Sequence, residues 1–184
     1  MFAHLKGVVA ALADNHLVID VGGVGYLVFA PRRSLASLAL GQAVTFYIET
    51  VVREDAILLY GFDSLEQKKM FQLLTTVQGV GNKIALAFLD ALQPQDIALA
   101  IMAGDNARLL MVTGVGGKLA SRIIQELQDK VIKQGEQWTG SPTMGGNNMM
   151  ADILSALEQL GFQKSEAMPQ VTELLRHPDN EGKT

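Results

Sequence analysis

Two short stretches, Gly79-Val80-Gly81-Asn82-Lys83 and Gly114-Val115-Gly116-Gly117-Lys118, set two glycines and a lysine at one spacing. A glycine turn that opens onto a helix leaves the first backbone N–H groups of that helix without intrahelical partners. The aligned peptide dipoles add partial positive charge at the same point. Amides presented in this way bind an anion, above all a phosphate oxygen. A lysine two residues beyond the second glycine falls in the first helical turn, within reach of the same anion. The expected chemistry is a backbone grip on phosphates, in which Gly79, Gly81, Gly114 and Gly116 supply amides and Lys83 and Lys118 supply charge. Such a grip positions a nucleic acid without reading its sequence.

Other chemistries fit less well. A plainer reading of the turns is that glycine only reverses the chain between packed helices. One copy leaves that reading open; two copies with lysine in register weigh against it. A nucleotide-binding P-loop needs a glycine, four residues and then Gly-Lys-Ser/Thr. Here Gly117-Lys118 is followed by Leu119, and position 112 is Val112. A third Gly-Val-Gly, Gly23-Val24-Gly25, lies in VIDVGGVGYLVF and reads as strand, tight turn, strand. A dinucleotide fingerprint would need glycine at position 28, which is Val28. Arg53-Glu54-Asp55 stands between two apolar strand segments and reads as a solvated hairpin tip. Metal-dependent nuclease chemistry would need further carboxylates to converge on it. The chain has no cysteine and three scattered histidines, His4, His16 and His177, so neither a metal site nor a cofactor is expected.

The elements that must position these residues follow from the pattern. Residues 1 to 62 hold five segments rich in β-branched and aromatic residues, HLKGVVAALA, HLVIDV, GYLVFA, AVTFYIETVV and AILLYGF, separated by turn signals. Five strands with almost no helix between them predict a small Greek-key barrel of the oligonucleotide-binding (OB) type. From Ser64 the period changes. Ser64-Leu65-Glu66-Gln67 predicts a capped helix start, and Met70, Phe71, Leu74 and Val77 give a helical apolar face. A second helix follows the first glycine turn, and Pro94 with Asp96 opens a third, which Gly104 ends. The pattern then recurs at a shift of 35 residues: Leu74 on Leu109, Val77 on Val112, Lys83 on Lys118, Ala85 on Ala120 and Leu92 on Leu127.

The fold expected is α+β and multidomain: an OB-like barrel over 1–63, a tandem helix–hairpin–helix domain over 64–134, a flexible linker over 135–149 and a small helical domain over 150–184. The linker GEQWTGSPTMGGNNMM is rich in Gly, Asn, Ser and Thr. Two short amphipathic helices are expected after it, one lined by Ile153, Leu154, Leu157 and Leu160 and one by Val171, Leu174 and Leu175.

The net charge of −4 over 184 residues speaks at first against a nucleic-acid partner. Its distribution removes the objection. Residues 64–137 carry eight Lys/Arg against seven Asp/Glu and are the only segment that is not net acidic, and both lysine-bearing turns lie there. A grip made of amides needs little net charge. No run approaches the roughly 20 apolar residues of a membrane span, and the N-terminus lacks the pattern of a signal peptide, so a cytoplasmic protein with no membrane partner is expected.

Taken in order, VGGVGY, VVREDAILLYGF, the paired GVGNK and GVGGK turns and a detached C-terminal helical module resemble the RuvA family over almost the whole chain, from Leu5 to about Arg176. Each motif alone is weak, since helix–hairpin–helix turns also occur in ligases, polymerases and repair nucleases; the ordered set is specific. The resemblance implies a non-catalytic Holliday-junction-binding subunit of a branch-migration complex acting in recombination and DNA repair. It implies a C4 homotetramer, or an octamer of two tetramers on the junction. The implied partners are the hexameric ATPase RuvB, docked through the C-terminal domain, and the resolvase RuvC. It places Arg122, four residues after Lys118 on the same helix face, among the DNA contacts, and it makes Glu54 and Asp55 acidic pins near the crossover. Carboxylates there repel phosphates, so affinity must come from the turns. The chain departs from the family pattern at Gly117, where a basic residue is common. It also ends at Thr184, so the C-terminal domain is expected to be short of its last helix, which puts docking on the motor in doubt. Two rivals stay open: a nuclease subunit that docks through its turns, and a protein scaffold in which the turns only pack helices.

Overall fold

The computed structural model describes residues 1–133 and Trp138. They belong to one compact unit, Met1–Gly140, apart from a second unit at Ser141–Thr184. The amphipathic helices expected over 150–176, and the linker apart from Trp138, lie outside the described residues.

Five strands build the N-terminal part: β1 (His4–Leu12), β2 (His16–Val21), β3 (Val24–Phe29), β4 (Ala43–Val52) and β5 (Ile57–Phe62). They close into a barrel in the order β1-β2-β3-β5-β4. All pairings are antiparallel except β3 with β5, where Val28 faces Leu59 and Phe29 faces Tyr60 in parallel register. The β2–β3 hairpin turns on Gly22-Gly23, both at positive φ, with Val21 paired to Val24. The glycines of the turn are thus Gly22 and Gly23, and Gly25 lies within β3, so the strand-turn-strand reading of this copy holds. Alternate residues point inward, and Leu5, Val9, Leu17, Ile19, Val28, Phe46, Ile48 and Leu59 fill the barrel.

One short helix escaped the sequence pattern. Helix α1 (Arg32–Leu35) follows Pro31 and packs Leu35 onto the barrel core. Four residues are too few to show a helical period.

Helix α2 (Leu65–Thr75) starts at Ser64, whose hydroxyl accepts a hydrogen bond from the Gln67 N–H at 3.2 Å. The reciprocal half of the expected capping box does not form, because the Gln67 side chain is buried and its Oε1 has no partner. Helices α3 (Asn82–Ala91), α4 (Pro94–Ala103), α5 (Asn106–Leu110) and α6 (Gly117–Lys133) complete the second half. Pro94 opens α4, where its missing N–H costs nothing, and Gly104 ends it in the left-handed region. Helix α6 buries Ala120, Ile123, Ile124, Leu127 and Val131, one stripe at helical spacing.

Strand β5 is the wall shared by the two cores. Leu59 faces into the barrel, while Tyr60 and Phe62 face the helices. The Phe71 ring of α2 lies 5.1 Å from that of Tyr60 and 5.0 Å from that of Phe62, centroid to centroid. These packed aromatic pairs fix the helical half on the barrel. Trp138, inside the span read as linker, is only 3% exposed and belongs to the same helical core.

Candidate nucleic-acid interface

The two glycine turns are one structure written twice. In the first, the Val77 N–H donates to Leu74 C=O at 3.1 Å, Val80 N–H to Val77 C=O at 3.0 Å and Ala85 N–H to Gly81 C=O at 3.0 Å. In the second, the bonds shifted by 35 residues recur: Val112 to Leu109 at 3.2 Å, Val115 to Val112 at 3.1 Å and Ala120 to Gly116 at 2.9 Å. Gly79 and Gly114 take φ of 94° and 89°, a region that side-chain-bearing residues rarely enter. Val80 and Val115 turn inward and are buried, which anchors each turn, while Gly79, Gly81, Gly114 and Gly116 stay exposed.

The chemistry expected of the turns depends on what caps the helices behind them. Gly81 is the N-cap of α3 and offers no side-chain acceptor, so the first amides of that helix are left for a ligand. Gly116 precedes α6 and likewise carries no side chain. Lys83 and Lys118 are both exposed in the first turn of their helices, beside those amides. The geometry suits a phosphate oxygen held by amides and flanked by one cation at each turn.

The repeats pack crosswise. A Cβ built on Gly79 would lie 3.4 Å from Leu119 Cδ1, and one built on Gly114 would lie 3.9 Å from Ile84 Cγ1. Leu119 is Ile84 shifted by 35 residues, so each repeat's second helix covers the other repeat's turn. Arg122 sits one helical turn beyond Lys118, as expected. One of its guanidinium nitrogens, Nη1, donates to the Gln78 C=O at 3.1 Å, 44 residues away.

Three further residues tie together the elements that carry the turns, and sequence reasoning missed them. Asn82 Nδ2 donates to the Tyr60 hydroxyl at 3.2 Å and ties the first turn to β5. Asp90 Oδ1 accepts from the Arg32 N–H at 2.5 Å and ties α3 to α1. Glu49 on β4 accepts from Gln72 Nε2 at 2.7 Å, with Lys68 Nζ at 3.6 Å, and so reaches α2. Asn82 could be placed in the GVGNK turn from sequence, but none of the partners could be.

Glu54 and Asp55 form the exposed tip of the β4–β5 hairpin, closed by the Arg53 N–H donating to Ala56 C=O at 2.8 Å. Beneath them Val52 pairs with Ile57, and both are exposed. The same face continues inward through the Thr50–Leu59 pair to Ile48 and Gly61, so the hairpin runs on beyond the barrel interior. Among the described residues no three His, Asp or Glu side chains converge as a metal site would need. Nor is any single helix among them long and apolar enough to cross a membrane.

A closed five-stranded barrel joined to two interlocked glycine turns defines a tandem helix–hairpin–helix protein on an OB-like base. Comparison with known proteins agrees in both halves. Residues 1–61 match the family described as RuvA N terminal domain, and residues 71–129 match SAM-like helix-hairpin-helix tandem. A protein of Gluconacetobacter diazotrophicus named Holliday junction branch migration complex subunit RuvA is 48% identical over 184 residues, covering 97% of this chain and 91% of its own. Proteins of the same name from Gluconobacter oxydans and Rickettsia bellii are each 42% identical, covering 98% and 95% of this chain and 92% and 89% of their own. The chain belongs to the RuvA family.

Proposed function

We propose that this protein binds four-way DNA junctions by structure rather than sequence, holds them open as a homotetramer and delivers them to the RuvB motor for branch migration. The observation that carries this reading is the duplicated turn, with its repeated hydrogen bonds and an exposed lysine at each copy. Two such grips on one compact unit suit the two strands of a duplex arm. Gly79, Gly81, Lys83, Gly114, Gly116 and Lys118 hold phosphates, with Arg122 beside them. Glu54 and Asp55 project on their hairpin as a negative tip that rejects a phosphate backbone, and this favours an open crossover over continuous duplex. The names of the relatives support the same assignment. The protein is the non-catalytic partner in the complex and works in the cytoplasm, with RuvC acting on the same junction.

The test is a gel-shift titration against a synthetic four-way junction and a duplex of equal length, in moderate salt. Junction preference with discrete bands for one and then two oligomers is expected. Equal affinity for both would reduce the turns to a generic duplex grip and sink the junction-specific reading.

A further inference from the structure

The two turns are equal in backbone geometry and unequal in what holds them. The first turn has two polar ties. Arg122 reaches across from the second repeat to the Gln78 carbonyl, and Asn82 reaches the Tyr60 hydroxyl on the barrel. Shifting every residue by 35 shows what the second turn has instead. Asn82 becomes Gly117, Arg122 corresponds to Ala87, and Gln78 becomes Thr113. Neither Gly117 nor Ala87 can donate from a side chain.

Beside Ala87, Thr113 and Gly114 a cleft of about 630 Å³ opens, and it continues past Lys83 and Asp90 to Asn15, Ala30 and Arg32. The helix leading into the second turn, α5, has five residues, whereas α2 leading into the first has eleven.

We infer that Arg122 is a positioning residue, a strut that fixes the first turn, and that the two grips are unequal: one preset and one that adjusts to the phosphate it meets. A preset donor array loses little freedom when it binds. The adjustable one tolerates the variation in arm angle and phosphate position that a junction presents. The strut rests on the protein alone, and only its consequence for DNA rests on the function proposed above.

Hydrogen exchange on the full, DNA-free chain tests the strut, with wild type compared with Arg122→Gln, Arg122→Lys and Ala87→Arg. The wild-type Val80 amide, bonded to the Val77 carbonyl, should open less often than the Val115 amide, bonded to the Val112 carbonyl. Arg122→Gln removes a charge-assisted bond and should raise opening of the first turn about tenfold, without change in the second. Arg122→Lys should restore part of the protection, and Ala87→Arg should slow exchange in the second turn. Equal exchange at the two turns in wild type, or no response of the first turn to Arg122→Gln, would overturn the inference.

Junction binding supplies the second arm. A positioning residue should lower affinity in Arg122→Gln while the salt slope stays near that of wild type. A phosphate ligand should lower the slope by about 0.9. A drop of that size with unchanged exchange would make Arg122 a phosphate contact and no strut. If the wild-type chain binds no junction, the proposed function fails and the exchange arm still decides the strut.

Discussion

Asn82 donates to the hydroxyl of Tyr60 at 3.2 Å, and this one bond joins the first glycine turn to the barrel wall. Tyr60 is in turn wedged between Phe29 and Phe71, with ring centroids 5.8 and 5.1 Å away. The turn that is expected to meet DNA is therefore referenced to the aromatic seam between the barrel and the helices.

Tyr60→Phe keeps the ring and removes the acceptor. It should cost about 1 kcal/mol, the usual net worth of such a bond, and weaken junction binding only a few-fold. Urea unfolding beside a gel shift measures both. A loss of binding far beyond the loss of stability would show that the hydroxyl does more than anchor the turn.

Lys118→Ala should weaken binding to all junction sequences alike and lower the slope of log affinity against log salt by about 0.9, the signature of one lost phosphate contact. Lys83→Ala should do the same. A titration series over salt concentration reads this directly, and an unchanged slope would remove the lysine from the interface.

Gly117 opens α6 with open space around the position where a Cβ would be. Gly117→Lys gains helix propensity, up to about 1 kcal/mol, and places a cation at the unfavourable end of the helix dipole, about 0.3–1 kcal/mol. The two effects nearly cancel, so stability should hardly move. The salt slope should rise by about 0.9 if the new charge meets a phosphate.

Glu54→Gln combined with Asp55→Asn leaves the hairpin closed by Arg53 and Ala56 and removes both tip charges. Affinity for plain duplex should rise and the preference for four-way DNA should shrink. Competition between the two DNAs on one gel reads the ratio. A ratio equal to that of wild type would count against the acidic tip as a selector.

Gly7 is the barrel's most constrained glycine. A Cβ there would lie 2.1 Å from the Asp20 carbonyl oxygen on the neighbouring strand, which is backbone and cannot step aside. Gly7→Ala should cost about 3 kcal/mol or more. Gly61→Ala meets only side chains, Val28 at 2.5 Å and Phe46 at 3.0 Å, and should cost about 1–3 kcal/mol. Thermal melts of the pair check the order.

Much of this was legible in the residues because it is written locally. The five strands show as short β-branched runs, the turns as Gly-Val-Gly, and the duplication as apolar positions that coincide at a shift of 35. Ser64 as a helix cap and Gly104 as a helix stop were readable for the same reason. What could not be read joins distant residues. The parallel pairing of Val28 with Leu59 closes the barrel, and no local pattern specifies it. The bonds from Arg122 to Gln78 and from Arg32 to Asp90 span 44 and 58 residues. Residues 135–149 read as a linker by composition, with Trp138 as filler of the core or of the linker; the structure puts its large apolar side chain in the core. Helix α1 was missed because it lacks the length to show a period.

That burial gives the molecule an optical consequence. The chain has a single tryptophan, and its indole is enclosed in the helical core with no hydrogen-bond partner for Nε1 among the described residues. An indole in so apolar a setting emits toward the blue, and its emission shifts to the red when water reaches it. The barrel holds tyrosines and phenylalanines but no tryptophan. Intrinsic fluorescence thus watches one core, while far-ultraviolet circular dichroism watches both. Since the two cores share β5, coincident transitions by the two probes would mark them as one cooperative unit.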